Sequence, residues 1–372
     1  MTNLKKYNIF IFITSFSKLL VELFIPLILY NRGFGIKKII LFLIIKYSLC
    51  ILFVPIGRVL GNKFSYTKLM IFSSVLFSLT YIYLNFMKSV FVLAILYSAY
   101  LMFYWLGRHI YAISIIEEKK ATDNVSLYNI FTILGGLFST YIGAVIIDKF
   151  GYLVLSIIVL ILMIVSIVPL IKIKDVNISD KKETIKIFKS FPIRNYTFIT
   201  LDQLRYIICS IYPLYIYIYV RRTFSFAGVL NIISGVGSIL YIYILSKKMD
   251  KNKKDYLSLS LLLMGFIYVF KLFVYAKYLF LIIVFVEGVI KSSVDTITLR
   301  NTYCYGKNYD VISYVAFIEI INNVGRTLFL VLFYLLDLSL MQIILVSAIG
   351  IFLNVFIKFD DGKFGYSKVE TD

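Results

Sequence analysis

The feature that most narrows the fold is the recurrence of apolar runs about as long as a bilayer is thick. Residues 151–170, "GYLVLSIIVLILMIVSIVPL", are one of them. As a helix rising 1.5 Å per residue, such a run crosses roughly 30 Å of hydrocarbon, and it has none of the alternating polarity of a barrel strand. Twelve runs can be placed, at about 7–30, 37–57, 68–87, 89–115, 126–147, 152–172, 196–220, 225–246, 256–275, 278–299, 311–335 and 338–358. With 60% hydrophobic residues and a mean hydropathy of +0.89, the chain could not cover its apolar surface in water. The expected class is an all-α, multi-pass integral membrane protein of about twelve transmembrane helices.

The formal net charge is +19, but the basic residues are strung through short loops. They read as topology signals and not as a nucleic-acid surface. With the amino terminus inside, inner segments carry 24 Lys and Arg against 8 outside, so both termini are expected in the cytoplasm. Cys50, Cys209 and Cys304 are odd in number and scattered, which argues against a structural disulfide or a metal site. The start of the chain is basic and then apolar for longer than a signal-peptide core, and it reads as a retained first helix.

The longest polar interruption, "KIKDVNISDKKETIKIFKSFPIRN" at 172–195, divides the runs six and six. The expected organisation is a first six-helix bundle over 1–172, a cytoplasmic linker over 173–195, a second six-helix bundle over 196–358 and a cytoplasmic tail over 359–372. The linker reads as charged and solvated, with Ile185, Ile187 and Phe188 offering the alternative of a short helix on the membrane surface. The loops after the second and eighth runs, "PIGRVLGNKFSYTK" (55–68) and "LSKKMDKNKKD" (245–255), stand half a chain apart, 188 residues from Asn62 to Asp250.

Both loops resemble the Gly-x-Leu-x-Asp-Arg-x-Gly-Arg-Arg signature of the major facilitator superfamily. In the first copy Asn62 stands where the signature has Asp, Lys63 where it has Arg and Ser65 where it has Gly, and Gly57 is one position out of register. The second copy keeps Asp250 and Lys251, followed by Lys253 and Lys254, but lacks the glycine. "ILGGLFSTYIGAVIIDKFGYLVL" at 133–155 is similar to the Gly-rich fifth helix and following turn of the same family. Gly135, Gly136, Ser139, Gly143 and Ala144 also have a plain structural use, letting neighbouring helices approach closely. The resemblance implies two bundles that rock about a midplane site, with the first, fourth, seventh and tenth helices lining it. It also implies a conformational motif at the cytoplasmic face, formed here by Gly57, Asn62, Lys63, Asp250 and Lys251.

A charge at the bilayer centre costs roughly 2.5–3.5 kcal/mol on insertion scales, so each must face protein or water. The intramembrane polar residues gather on particular helices: Lys18 and Glu22; Trp105, Arg108 and His109; Asp202, Gln203 and Arg205; Glu287, Lys291 and Asp295; Glu319, Asn322, Asn323 and Arg326. Spacings of three and four put members of a set on one helical face. The tenth helix admits two readings, a face on a watery substrate path or a ladder of ion pairs from Glu287 through Lys291 to Asp295. Glu22 and Asp202 are proton-coupling candidates, because a buried carboxylate without a firm partner suits proton uptake and release. Arg108 keeps its charge and suits an anion, while His109 either titrates or is a hydrogen-bonding residue. Lys46 and Lys271 are read as snorkelling or paired. The substrate-binding or coupling candidates are therefore Glu22, Arg108, His109, Asp202, Arg205, Glu287, Lys291, Glu319, Asn323 and Arg326.

The expected function is secondary active transport of a small polar or ionic solute by a monomer in the lipid bilayer. The resemblance implies alternating access, with a proton gradient as the energy source. An anionic substrate follows if Lys291 and Arg108 act together. There is no G-x-x-x-x-G-K signature for nucleotide hydrolysis, and no catalytic residue, cofactor, metal or nucleic-acid partner is expected. Two alternatives stay open: a membrane enzyme using Arg108, His109 and Glu117 on a lipid-linked substrate, and a non-transporting receptor of the same fold.

Overall fold

A computed structural model describes residues 3–115, 121–173, 175, 178–244, 256–274, 277–357 and 359, which form helices and connecting turns with no strand among them. Twelve spans follow in order. The first four are Asn3–Asn31, Ile36–Phe64, Tyr66–Asn85 and Val90–Ile115. The fifth runs through Ala121–Gly136 and on over 139–150, and the sixth covers 151–171. After a short helix at Thr184–Ser190 come the seventh, Ile193–Tyr215 with its continuation Ile216–Val220, and the eighth, Phe224–Ile244. The last four are Leu257–Phe273, Lys277–Gly306, Val311–Leu335 and Leu340–Asn354. The expected all-α fold of two six-helix bundles is the fold observed. The second and tenth helices outrun their apolar runs by one to two turns, because hydropathy marks where lipid ends and not where the backbone stops being helical.

Two prolines shape the first helix of each bundle. A proline ring clashes with the carbonyl four residues earlier, which for Pro26 is that of Glu22. The first span breaks there: it leaves α geometry after Leu19, passes through a 3-10 turn at Glu22–Phe24 and resumes at Ile25. Pro213 stands near the end of the seventh span, which then widens to a π turn at Ile216–Val220. Both distortions touch the opposite bundle, Tyr217 of the π turn donating to Asn31 Oδ1 at 3.0 Å and the Phe24 ring of the 3-10 turn lying 5.4 Å from Phe224 at the start of the eighth span.

Glycine sets the closest helix contacts. A methyl group at Gly143 would fall on the Leu20 carbonyl oxygen, and one at Gly136 on the Leu19 side chain, so the fifth span lies directly against the first. In the second bundle a methyl at Gly237 would strike the Phe285 carbonyl and one at Gly288 the Ser234 carbonyl, locking the eighth span to the tenth. Gly151 adopts φ +79°, the left-handed conformation that turns the fifth span into the sixth.

The bundles meet along a seam of second span on eleventh and fifth on eighth. At one end of the seam, called here the linker face, a polar clasp closes it. Arg58 donates to Asp180 (Nε to Oδ2, 2.7 Å), through Nη1 to Thr184 Oγ1 (2.6 Å), and through Nη2 to the other Asp180 oxygen and to Ser313 Oγ of the eleventh span (2.9 Å). Asn62 Nδ2 donates to Asp180 Oδ2 at 2.6 Å. The short linker helix docks on the eleventh span through one side, while Lys186 and Lys189 on its other side stay exposed. Ile187 is buried and Phe188 packs edge-on against Phe317, 4.7 Å between centroids, though it stays partly exposed, and Ile185 points outward.

Burial alone would push the Asp180 carboxyl up, but hydrogen bonds from Arg58, the Lys182 amide and Asn62 hold it down at about 2. Its folded value is depressed, so its stabilisation is complete above the ordinary carboxylate range and is lost as pH falls towards 2. At pH 7, Asp180→Asn is expected to speed hydrogen exchange across 178–190 and proteolysis in the linker while the twelve spans persist. Unchanged exchange there would remove the clasp from the account.

Candidate functional site

A cavity of about 610 Å³ opens in the seam, lined by the first, fourth, seventh and tenth spans together with the second, fifth, eighth, ninth and eleventh. It collects the charge the membrane would otherwise reject. Five Lys and Arg line it, Lys46, Arg108, Lys271, Lys291 and Arg326, and two more, Lys18 and Arg205, stand behind it beside lining carboxylates. Five carboxylates accompany them: Glu22, Asp202, Glu287, Asp295 and Glu319.

Aromatic rings carry most of the cations, a contact favoured in desolvated surroundings. Lys18 lies 4.3 Å from the Tyr104 centroid, Lys46 4.1 Å from Tyr47, Arg108 4.9 Å from Trp105, Arg205 4.6 Å from Tyr206, Lys271 3.6 Å from Tyr212 and Arg326 4.8 Å from Tyr206. The sequence signals this only in part, since half of these rings, those facing Lys18, Lys271 and Arg326, come from other helices.

Three of the cations have firm carboxylate partners or a near one. Arg205, fully buried, holds Asp202 through Nε and Nη2 at 2.9 and 3.0 Å and reaches Asp295 through Nη1. Asp202 therefore has the firm partner that its reading as a free proton carrier required it to lack. Lys271 pairs with Glu287 at 2.6 Å, both side chains largely buried. This corrects the ladder from Glu287 to Lys291: Glu287 turns to the ninth span, Asp295 turns to the seventh, and the rungs on the tenth helix are not made. Lys18 stands 3.8 Å from Glu22, whose Oε1 accepts instead from the Tyr97 hydroxyl. Glu22 lies at the proline-induced break in the first span.

His109 and Glu319 meet across the seam. His109 stacks on Trp105, its Nδ1 lies 2.6 Å from the Tyr303 hydroxyl and its Nε2 3.4 Å from Glu319 Oε1. A proton between imidazole and carboxyl would be held by the fourth span on one side and the eleventh on the other. Asn323, one turn along, donates to the Glu319 backbone carbonyl and its Oδ1 has no partner among the described residues.

The other four cations have no carboxylate within ion-pair distance among the described residues. Arg108 donates to Tyr104 and Thr132 hydroxyls at 3.2 and 3.3 Å. Arg326 gives only Nε, to Gln203 Oε1 at 2.9 Å. Lys46 is buried and faces rings. Lys291 is half-buried and makes no hydrogen bond or ion pair with any described residue. Lys46 and Lys271 are the residues that sequence reasoning passed over. Lys46 sits at the middle of its run, too far from either interface to snorkel, and that position was a usable signal. No spacing rule points Lys271 at Glu287, sixteen residues on, because the pair depends on how the ninth and tenth helices pack.

The conformational motif is placed in part. A methyl group at Gly57 would press on Leu106 and Phe103, so its role is close packing of second span on fourth. Asn62 belongs to the clasp, and Lys63 lies beside the Phe64 ring at 5.2 Å. Asp250 and Lys251 lie outside the described residues, as does Glu117.

The profile of the family described as Major Facilitator Superfamily matches residues 8–329 of the chain. Among solved structures, the E. coli fucose:proton symporter FucP is similar with a TM-score of 0.65 at 14% identity, covering 95% of this chain and 97% of that one. A structure of a major facilitator superfamily transporter, FucP, in the outward conformation gives 0.68 at 15% identity, with 95% and 98% covered. Both are likenesses of fold. No curated protein sequence matches the chain.

Breaking a buried pair strands a charge and costs about 3–5 kcal/mol, whereas removing both partners costs far less. Lys271→Met is therefore expected to lower unfolding stability by that amount, and adding Glu287→Gln to recover most of it. Lys291→Met, which leaves Glu287 paired, should cost much less than Lys271→Met. Equal losses for both lysines in a denaturant or thermal titration would return Glu287 to Lys291.

Proposed function

The chain belongs to the major facilitator superfamily, and from that premise we propose that it is a secondary transporter carrying a small anionic solute by alternating access. One observation carries the anionic preference: Lys46, Arg108, Lys291 and Arg326 all line the cavity without a carboxylate in ion-pair range among the described residues. A buried charge left unmatched is costly, so an oxyanion entering from water stabilises the closed cavity where a neutral sugar would not. Arg108 of the fourth span and Lys291 of the tenth belong to different bundles, and an anion shared between them favours the state in which the bundles close around it.

The energy source in this reading is a proton gradient. Its carriers are Glu319 with His109, and Glu22 at the break in the first span. Asp202 is reassigned to a structural pair with Arg205. The transporter works as a monomer of two bundles, 1–172 and 196–358, joined by a linker that faces the cytoplasm with both termini, in keeping with 24 inner basic residues against 8 outer.

Counterflow in proteoliposomes tests this. Vesicles preloaded with succinate or inorganic phosphate should take up the labelled anion faster than fucose-loaded vesicles take up labelled fucose, and an acid exterior should speed net uptake. Arg108→Met or Lys291→Met should cut the rate at least tenfold. Movement of fucose but of neither anion would overturn the substrate class, and indifference to the pH gradient would overturn the coupling.

A further inference from the structure

We propose that Lys46 and Arg326 form an oxyanion-binding site across the seam, separate from the Arg108 and Lys291 groups and built around the ring of Tyr47. Lys46 and Tyr47 lie on the second span and Arg326 on the eleventh, the helices whose contact forms the seam. The Lys46 ammonium is 4.1 Å from the Tyr47 centroid and the Arg326 guanidinium carbon 5.2 Å from the same centroid, so one ring has a cation from each bundle beside it. The Tyr47 hydroxyl lies 3.4 Å from Ser210 Oγ of the seventh span, fixing the ring from the second bundle as well.

Two like charges gathered in a low-dielectric interior repel each other, and no described carboxylate is paired with either of them. Glu22 accepts from the Tyr97 hydroxyl, and the ring of that tyrosine stands 4.8 Å from Lys46. Glu319 faces His109. Asp202 and Asp295 are held by Arg205. None of the four is within ion-pair distance of Lys46 or Arg326.

The Arg326 side chain is also held ready. Its Nε is fixed on Gln203 Oε1, and Gln203 Nε2 is in turn held by the Ile199 carbonyl and Asn322 Oδ1, each at 2.9 Å. Both Nη groups are left without an acceptor among the described residues. Two parallel N–H donors on a fixed plane match the paired oxygens of a carboxylate or phosphate, and Lys46 adds a second positive charge from the opposite bundle. The ligand class is a small soluble oxyanion, a carboxylate or a phosphate. Its binding draws the second and eleventh spans together, which links occupancy to the position of the bundles.

Only the assignment of this ligand as transported solute rests on the transporter reading; binding itself does not. The test uses succinate and inorganic phosphate as probes on the full-length protein in detergent. Binding is read by thermal shift and by the fluorescence of Trp105, the chain's single tryptophan, which lines the cavity. At least one probe should bind the parent. Lys46→Met and Arg326→Met should each weaken it tenfold or more, while Arg326→Lys, which keeps the charge but not the fork, should fall between. In buffer free of both probes Lys46→Met should raise the unfolding midpoint, because it relieves repulsion while keeping the stem. A lowered midpoint with an unchanged probe response would reduce both cations to supports for Tyr47 and overturn the site. Probe binding lost in Lys291→Met but retained in Lys46→Met and Arg326→Met would overturn it too, leaving the transporter reading intact. Absence of binding by either probe to the parent would overturn it as well, with counterflow still free to decide transport.

Discussion

Everything in this molecule is arranged around the cost of holding charge inside hydrocarbon. Twelve interior side chains that ionise as acids or strong bases would oppose insertion if they met lipid. Ten of them line the cavity in the seam instead, with Lys18 and Arg205 packed behind it, and there the structure treats them differently. Arg205 is matched twice over by Asp202 and Asp295, and Lys271 once by Glu287. Lys46, Arg108 and Arg326 rest on aromatic rings with no carboxylate partner among the described residues. The first group holds helices together whatever the cavity contains. The second is the group on which the proposed anion site rests.

The backbone supports this division. The prolines at 26 and 213 deform the first helix of each bundle near the cavity, and each distortion touches the opposite bundle, at the face opposite the linker. At the linker face Asp180 and Arg58 tie the second span to the eleventh through Ser313. Contacts across the seam thus exist on both sides of the cavity, while glycine-mediated contacts within each bundle, Gly143 on the first span and Gly237 and Gly288 between eighth and tenth, are tight and apolar. The seam itself joins these polar end contacts to close apolar packing, Gly228 and Gly235 of the eighth span lying against Tyr141 and Leu137 of the other bundle.

Much of this was legible in the sequence, for identifiable reasons. Apolar runs report spans because the bilayer imposes their length, and turn spacing reports faces because a helix has fixed periodicity, so the charged faces on the fourth, seventh, tenth and eleventh helices could be read directly. Partners could not. Glu287 chose Lys271 over Lys291, although Lys291 is one turn away on its own helix, because the packing of the ninth span brings a buried ammonium to 2.6 Å. Asp180 joins the clasp from a segment whose composition looks merely solvated, since a mixed-charge linker carries no pattern for docking. The small residues of the fifth span proved to be packing residues, as their structural reading allowed.

The central claim is that the charged face of the tenth helix looks into water and not into lipid. Cysteine labelling in nanodiscs tests it most directly, with Cys50, Cys209 and Cys304 replaced by serine. A charged, membrane-impermeant thiol reagent should modify Lys291→Cys, on the cavity side, and should leave Ile282→Cys on the exposed apolar side of the same helix unmodified. An inert Lys291→Cys beside a reactive Ile282→Cys would contradict the account.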